Sequence, residues 1–108
     1  MDTVFLPIPA HFQEGMSAAE LYDAARGDWD LDDAKRTDIK YAVAVVGRAI
    51  KEIYEVDGWE GANNGKWRFY GKAVQEYGYL IGLSTPQRSY GTLYYGDFSE
   101  LVALQQNR

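Results

Sequence analysis

The chain contains no cysteine and only one histidine, and these shortages exclude most thiol and metal chemistry. Without cysteine, neither a disulfide framework nor a thiolate metal site can form. The single imidazole, that of His11, cannot build a histidine metal cluster. The sequence therefore predicts neither a metal nor a cofactor, and the absence of cysteine fits a reducing compartment such as the cytoplasm.

Long apolar runs and an excess of basic residues are also missing. The longest apolar run, Tyr41 to Val46, is far too short to cross a bilayer, and the N-terminus shows no signal-peptide pattern. We therefore expect a soluble, cytoplasmic protein with no membrane partner. The net charge is −5, and a general binder of duplex DNA is not expected because that function draws on basic surfaces.

The acidic residues concentrate between Asp23 and Asp38. One interpretation is a solvated, turn-rich face, which is what most charge clusters form. The other is an interaction surface that imitates nucleic acid or docks a basic partner. Its candidate residues are Asp28, Asp30, Asp32 and Asp33.

The motifs of common catalytic sites are absent as well. No H-E-x-x-H, P-loop, G-x-G-x-x-G or G-x-S-x-G pattern occurs. The remaining candidates are Glu52, which is expected to point inward, and His11 with a carboxylate or tyrosine partner. We predict a protein that is not an enzyme, and a small enzyme using Glu52 or His11 is the alternative.

Aromatic residues, in contrast, are abundant. Phe, Trp and Tyr make up 15% of the chain, with nine tyrosines and three tryptophans. A core does not need that many hydroxyl-bearing rings, whereas Tyr and Trp suit half-wet interfaces and ligand pockets. Exposed rings also favour a homo-oligomer with its pocket at a subunit boundary.

Capping signals predict helices at both ends of the chain, within a single domain over residues 1–108. Ser17 and Glu20 form a capping box for a helix over Ala18 to Ala25 that ends at Gly27. Asp30 is expected to cap a second helical turn over residues 31–36. Asp97 to Glu100 is a further capping box, which opens a C-terminal helix.

Alternating apolar residues predict the strands. Residues 4–9 are expected to form a short strand, placed at a sheet edge because of Pro7 and Pro9. The stretch Ile39 to Asp57 fits either a helix or a hairpin, and the hairpin is favoured because a turn at Gly47-Arg48 brings Lys40 opposite Glu55. Residues 58–65 are expected to form a long turn. Further strands are expected over residues 66–75, 79–83 and 90–95.

This order of elements predicts an α+β domain. Its sheet is expected to be a small β-barrel or a strongly curved, mostly antiparallel sheet. One helix lies in the N-terminal half of the chain and another at its C-terminus.

An aromatic and basic constellation is the candidate ligand-binding site. Guanidinium and indole groups together can stack a base and hold a phosphate. The candidate residues are Arg26, Trp29, Trp59, Lys66, Trp67, Arg68, Tyr70 and Lys72. Arg88 and Tyr90 extend this set. Arg26, Trp29 and Arg68 have the least reason to lie in a core, whereas the alternative for Trp67 and Phe69 is that they are simply core residues.

Four blocks of the chain resemble a group of small, uncharacterised bacterial and phage proteins. These blocks are Leu21 to Trp29, Tyr41 to Val45, Ile53 to Trp59 and Trp67 to Gly71. They match R-G-x-W, Y-A-x-A-V, V-Y-x-V-x-x-W and W-x-F-x-G patterns, whereas the chain from Tyr79 onward departs from the group. The resemblance implies a PUA-like barrel of the ASCH or EVE kind, a type that binds nucleotides, modified bases or RNA in an aromatic-lined pocket.

The first functional hypothesis is therefore a non-catalytic binding protein for a nucleotide, a modified base or single-stranded nucleic acid. The second is a phage-type counter-defence protein. It would sequester a signalling nucleotide or block a host protein through its acidic face.

Overall fold

Five strands form one mixed sheet in the computed structural model, which describes residues 1–85 and 92–106. The strands are β1 (Thr3–Pro7), β2 (Tyr41–Val46), β3 (Ala49–Gly61), β4 (Trp67–Ala73) and β5 (Tyr94–Gly96). Their order across the sheet is β4-β3-β2-β1-β5. Only β1 and β2 are parallel, and the other neighbours are antiparallel. Within the described residues the outer strands β4 and β5 do not pair with each other, so the α+β prediction is confirmed but the sheet is not a closed barrel.

In the described part of the chain, three α-helices and two 3₁₀ segments accompany the sheet. They are α1 (Ala18–Ala25), α2 (Asp33–Arg36), α3 (Phe98–Gln106) and the 3₁₀ segments Asn63–Gly65 and Gln75–Leu80. The first capping box is confirmed, because the Ser17 Oγ accepts from the Glu20 N–H at 3.1 Å and the Glu20 carboxylate accepts from the Ser17 N–H at 2.9 Å. The C-terminal helix is also confirmed, and the Glu100 carboxylate accepts from the Asp97 N–H at 2.9 Å.

Helix α1 ends where predicted, with Arg26 as its C-cap and Gly27 as the residue that follows, although Gly27 is not left-handed. The predicted start of α2 is wrong by two residues. The N-cap of α2 is Asp32 rather than Asp30, since the Asp32 carboxylate accepts from the Ala34 N–H at 2.9 Å. The residues 28–31 are thereby left outside any helix.

The edge position predicted for β1 is wrong, because this strand lies between β2 and β5. The Ile8 N–H bonds to the Val45 carbonyl, so the nitrogen of Pro7 points to the other side, towards β5. However, β5 is short and pairs only with Thr3 to Phe5. A proline is therefore tolerated in an interior strand because its neighbour ends before reaching it.

The predicted hairpin of β2 and β3 is confirmed, and its predicted register holds beside the turn but not along the rest of the strands. Val46 faces Ala49 across a turn in which Gly47 has a φ of 63°. The register then shifts by one residue, so Ala44 faces Glu52 and Glu55 faces Tyr41 instead of Lys40. This bulge allows Ile50 and Ile53 to lie in the same core cluster.

Both faces of the central strands are covered. On one face, Val4, Leu6 and Ala42 pack in a cluster that includes Ala25 of α1. On the other face, Val43, Val45 and Ile50 pack with Leu80, Phe98 and Leu101. The apolar residues of β2 therefore divide between the two cores, because this strand is apolar on both sides.

The long turn expected over residues 58–65 is wrong. Strand β3 continues to Gly61, and the turn into β4 is tight, with Asn64 and Gly65 at φ values of 63° and 74°. The strand expected over residues 79–83 is absent, since Gln75–Leu80 is a 3₁₀ segment. The last strand is confirmed at Tyr94–Gly96, and Tyr90 lies outside the described residues.

Loss of the first cap should destabilise the fold. We expect Ser17→Ala to lower the free energy of unfolding by about 1 kcal/mol, because the Glu20 N–H loses its acceptor. The bond to Ser17 also lowers the pKa of Glu20, so this side chain's contribution is present above its ordinary pKa and disappears as the pH falls.

Urea unfolding at neutral and at acidic pH measures both effects. Ser99→Ala is the matched control, because Ser99 is an exposed residue in the first turn of α3. Equal destabilisation by the two substitutions would contradict the capping role of Ser17.

Candidate functional site

The segment Arg26–Trp29, here called the strap, lies along the outer edge of β4. The Trp29 N–H donates to the Trp67 carbonyl at 2.7 Å, and the Trp67 N–H donates to the Trp29 carbonyl at 2.8 Å. The Phe69 N–H donates to the Arg26 carbonyl at 3.0 Å, and the Gly71 N–H donates to the Tyr22 hydroxyl at 3.0 Å. Three successive outward N–H groups of β4 are thus occupied, which protects this edge from pairing with another chain.

A glycine is required where the strap crosses β4. A Cβ on Gly27 would lie 3.0 Å from the Cα of Arg68, which is tighter than ordinary van der Waals contact. The close approach brings Asp28 within reach of the Arg68 guanidinium. The Asp28 carboxylate accepts from Nε at 3.1 Å and from one terminal nitrogen at 2.8 Å.

The two arginines predicted to hold a phosphate are paired with carboxylates of the protein itself. Arg68 is bound by Asp28 and also lies 4.0 Å from Glu60. Arg26 donates to Glu60 at 3.2 Å and lies 5.3 Å from the centroid of the Tyr22 ring. A phosphate would therefore have to compete with existing ion pairs at both positions.

The tryptophans of the predicted site pack against the sheet. Trp59 meets the buried Phe69 edge to face at 5.9 Å, and Trp67 packs against the same core cluster. The Trp67 ring is covered by Arg36, whose guanidinium carbon lies 3.6 Å from the ring centroid. Trp29 is held by its indole N–H, which donates to the Ala25 carbonyl at 2.7 Å. The core interpretation therefore holds for Phe69 and largely for Trp67.

Arg68, Tyr70 and Lys72 lie on the opposite face of β4 from Trp67 and Phe69, whereas Lys66 precedes the strand. Arg68 faces Glu60 across the strands, and Lys72 faces Glu55. Tyr70 is 46% exposed. Its ring covers Gly58, where a Cβ would lie 2.3 Å from the Tyr70 hydroxyl oxygen. Because side chains alternate along a strand, this basic row and the tryptophans cannot line one pocket.

A groove of about 640 Å³ lies between the strap and the chain that enters β5. We call it the aspartate groove, and it is lined by Asp28, Trp29, Asp30, Leu31, Asp32, Lys66, Thr92, Leu93 and Tyr95. Of the eight residues predicted from the sequence, only Trp29 and Lys66 line it. Among its described lining residues, three carboxylates accompany one ammonium group, and one of these carboxylates, that of Asp28, is already paired with Arg68.

Tyr95 closes the groove from a distant part of the chain. Its hydroxyl accepts from the Asp32 N–H at 3.2 Å. The Nζ of Lys35 lies over the Tyr95 ring, 4.7 Å from the ring centroid. No local pattern marks Tyr95, because its role depends on the tertiary position of β5. The aspartates are recognisable from the sequence as a cluster. In the structure, Asp28, Asp30 and Asp32 line one cavity.

A second cavity, of about 320 Å³, lies on the other side of Trp29. We call it the His11 pocket, and it is lined by Pro7, Ile8, Pro9, Ala10, His11, Ala24, Gly27, Asp28 and Trp29. Glu52, the other catalytic candidate, lines neither cavity. Its carboxylate accepts from the Ile53 N–H at 2.9 Å beside the bulge in β3.

Among the residues that the structure describes, two polar side-chain atoms are buried without a hydrogen-bond partner. They are the hydroxyl of Tyr54 and the indole nitrogen of Trp59. Tyr54 is only 2% exposed, and this burial raises the pKa of its hydroxyl. Neither residue lines the groove or the pocket, so we interpret both as features of the core.

Comparison with known proteins adds no relative. No family model matches the chain, and neither the curated proteins nor the solved structures contain a match to it. Over residues 1–85 and 92–106, no helix is long and apolar enough to span a bilayer. The same residues hold no cluster of three or more histidines or carboxylates that could bind a metal.

The unpartnered hydroxyl of Tyr54 leads to a stability prediction. Tyr54→Phe should leave the free energy of unfolding unchanged or raise it by about 1 kcal/mol, because a buried hydroxyl without a partner is removed. Tyr22→Phe is the matched control and should lower it by about 1 kcal/mol, since the Gly71 N–H loses its acceptor. Urea unfolding of both variants checks this, and equal losses would mean that Tyr54 has a partner.

Proposed function

We propose that this protein is a non-catalytic binding protein whose aspartate groove receives a basic segment of a partner protein. The observation that carries the proposal is the arrangement of Asp28, Asp30 and Asp32 around the rings of Trp29 and Tyr95 in one cavity. Carboxylates and aromatic faces together are the chemistry that binds an arginine or lysine side chain.

The protein's own side chains already use this chemistry. Lys35 lies against the Tyr95 ring, and Arg36 lies against the Trp67 ring. Leu31 and Leu93 supply apolar lining beside the carboxylates. An arginine or lysine could lay its aliphatic stem on such a surface while its charged end reaches a carboxylate.

The charge balance supports a basic partner over a polyanion. Arg26 and Arg68 are engaged by Glu60 and Asp28, so Lys66 is the one cation among the described residues that line the groove. The whole chain carries a net charge of −5, which attracts a basic surface during diffusional encounter. Such a protein could serve as a phage-type inhibitor that blocks a host protein in the cytoplasm.

A nucleotide, a modified base or single-stranded nucleic acid is the second candidate ligand, in keeping with the PUA-like resemblance. One observation favours it: the groove places Trp29, Tyr95 and Lys66 together, which could stack a base and contact one phosphate. The aspartates could accept from exocyclic amino groups. They would also repel phosphates, which is why we rank this ligand second.

A peptide titration distinguishes the two candidates. Acetyl-Gly-Gly-Arg-Gly-Gly-amide is added to the ¹⁵N-labelled protein, and amide shifts are expected in Asp28 to Asp32 and around Tyr95. The variant Asp30→Asn with Asp32→Asn should bind about tenfold more weakly, as expected from the loss of two exposed charge contacts. Asparagine is also an N-cap residue, so α2 keeps its first turn.

The matched control is Asp23→Asn with Asp38→Asn, which makes the same change in net charge at exposed positions outside the groove. Equal weakening by both double variants would overturn the proposal. Adenosine monophosphate and a tetranucleotide are titrated in parallel. Shifts at Trp29 and Lys66 with these ligands, and none with the peptide, would establish the second candidate instead.

A further inference from the structure

The aspartate groove and the His11 pocket meet at the strap. Asp28 and Trp29 line both cavities, so the two cavities adjoin at this residue pair. The two cavities differ in chemistry. The groove carries three aspartates, whereas the pocket is lined mainly by Pro7, Ile8 and other small or apolar residues.

Hydrogen bonds fix the position of Trp29, which lines both cavities. Trp29 is fixed by both backbone hydrogen bonds to Trp67 and by the bond from its indole to Ala25. On the far side of the pocket, the Ile8 N–H bonds to the Val45 carbonyl at 2.9 Å. The Phe12 N–H bonds to the Ile8 carbonyl, also at 2.9 Å. A site built on such fixed elements loses little conformational freedom when a ligand binds.

We propose that the partner segment is extended and carries an apolar residue two positions from its basic residue. The basic side chain lies in the aspartate groove, and the apolar side chain lies in the His11 pocket. This inference rests on the proposed function and specifies the partner further.

The geometry of an extended chain supports this spacing. Side chains two residues apart point to the same side and are separated by about 7 Å. Two cavities that share Asp28 and Trp29 in their linings adjoin each other, so a short spacing of this kind suits a segment that reaches both. The pocket has half the volume of the groove, about 320 against 640 Å³. It therefore suits one side chain of moderate size, such as leucine.

A comparison of peptides tests the inference. Acetyl-Gly-Arg-Gly-Leu-Gly-amide and the reversed order Gly-Leu-Gly-Arg-Gly are each compared with a peptide in which glycine replaces leucine. We expect one order to bind about tenfold more tightly than the glycine peptide, as burial of one leucine side chain allows. The dissociation constants are measured by isothermal titration calorimetry or by amide shifts.

A substitution that fills the His11 pocket tests the same inference on the protein side. Ala24→Leu places a larger side chain in the His11 pocket, and leucine is a good helix former at this position in α1. It should remove the gain due to leucine while keeping the affinity for arginine. Ala19→Leu is the control, since Ala19 is exposed on α1 and lines neither cavity. If Ala24→Leu does not fold, Ala10→Leu fills the pocket from its loop.

The outcomes separate the two proposals. If the arginine peptides bind but leucine adds nothing in either order, this inference is overturned and the proposed function stands. The same holds if Ala24→Leu leaves the gain due to leucine intact. If no arginine peptide binds, the proposed function fails and the inference fails with it.

Discussion

The backbone pairing between the strap and β4 is the interaction on which the rest of this structure depends. Two backbone hydrogen bonds of 2.7 and 2.8 Å join Trp29 to Trp67. They hold the segment that follows α1 along the outer edge of β4. Because the strap is held there, Asp28 meets Arg68, and Trp29 stands between the groove and the pocket. Protection of an exposed edge and construction of the two cavities therefore have the same physical origin.

Charge is distributed unevenly as a consequence of that pairing. The strap brings Asp28 to Arg68, and the end of α1 brings Arg26 to Glu60. Arg26 and Arg68 are thereby paired with carboxylates. Asp30 and Asp32, in contrast, line the groove. Exposed ion pairs of this kind add little stability. Their larger effect here is to leave an acidic cavity beside two aromatic rings, and this favours a basic ligand over a phosphate.

The parts of the fold that could be predicted are those that depend on a few residues close together in the sequence. The capping box of Ser17 and Glu20 depends on a spacing of three residues, and the turn at Gly47 depends on alternation either side of it. The bulge after Ile50 and the length of β3 could not be predicted, because they depend on which core each side chain joins. The interior position of β1 could not be predicted for the same reason. Pro7 is tolerated there because β5 is short and does not pair with it.

The sequence by itself determined the composition of the site: an acidic segment, aromatic rings and a few cations, next to a helix with a strong N-cap. It also determined that β4 separates Trp67 and Phe69 from Arg68 and Tyr70, because alternation is a local property of a strand. Only the tertiary structure decided which of these residues share a cavity. Tyr95 reaches Asp32 from a strand placed by pairing with β1, and Arg68 is bound by a strap from another element. Contacts between residues so far apart in the chain depend on packing and register, which no local pattern contains.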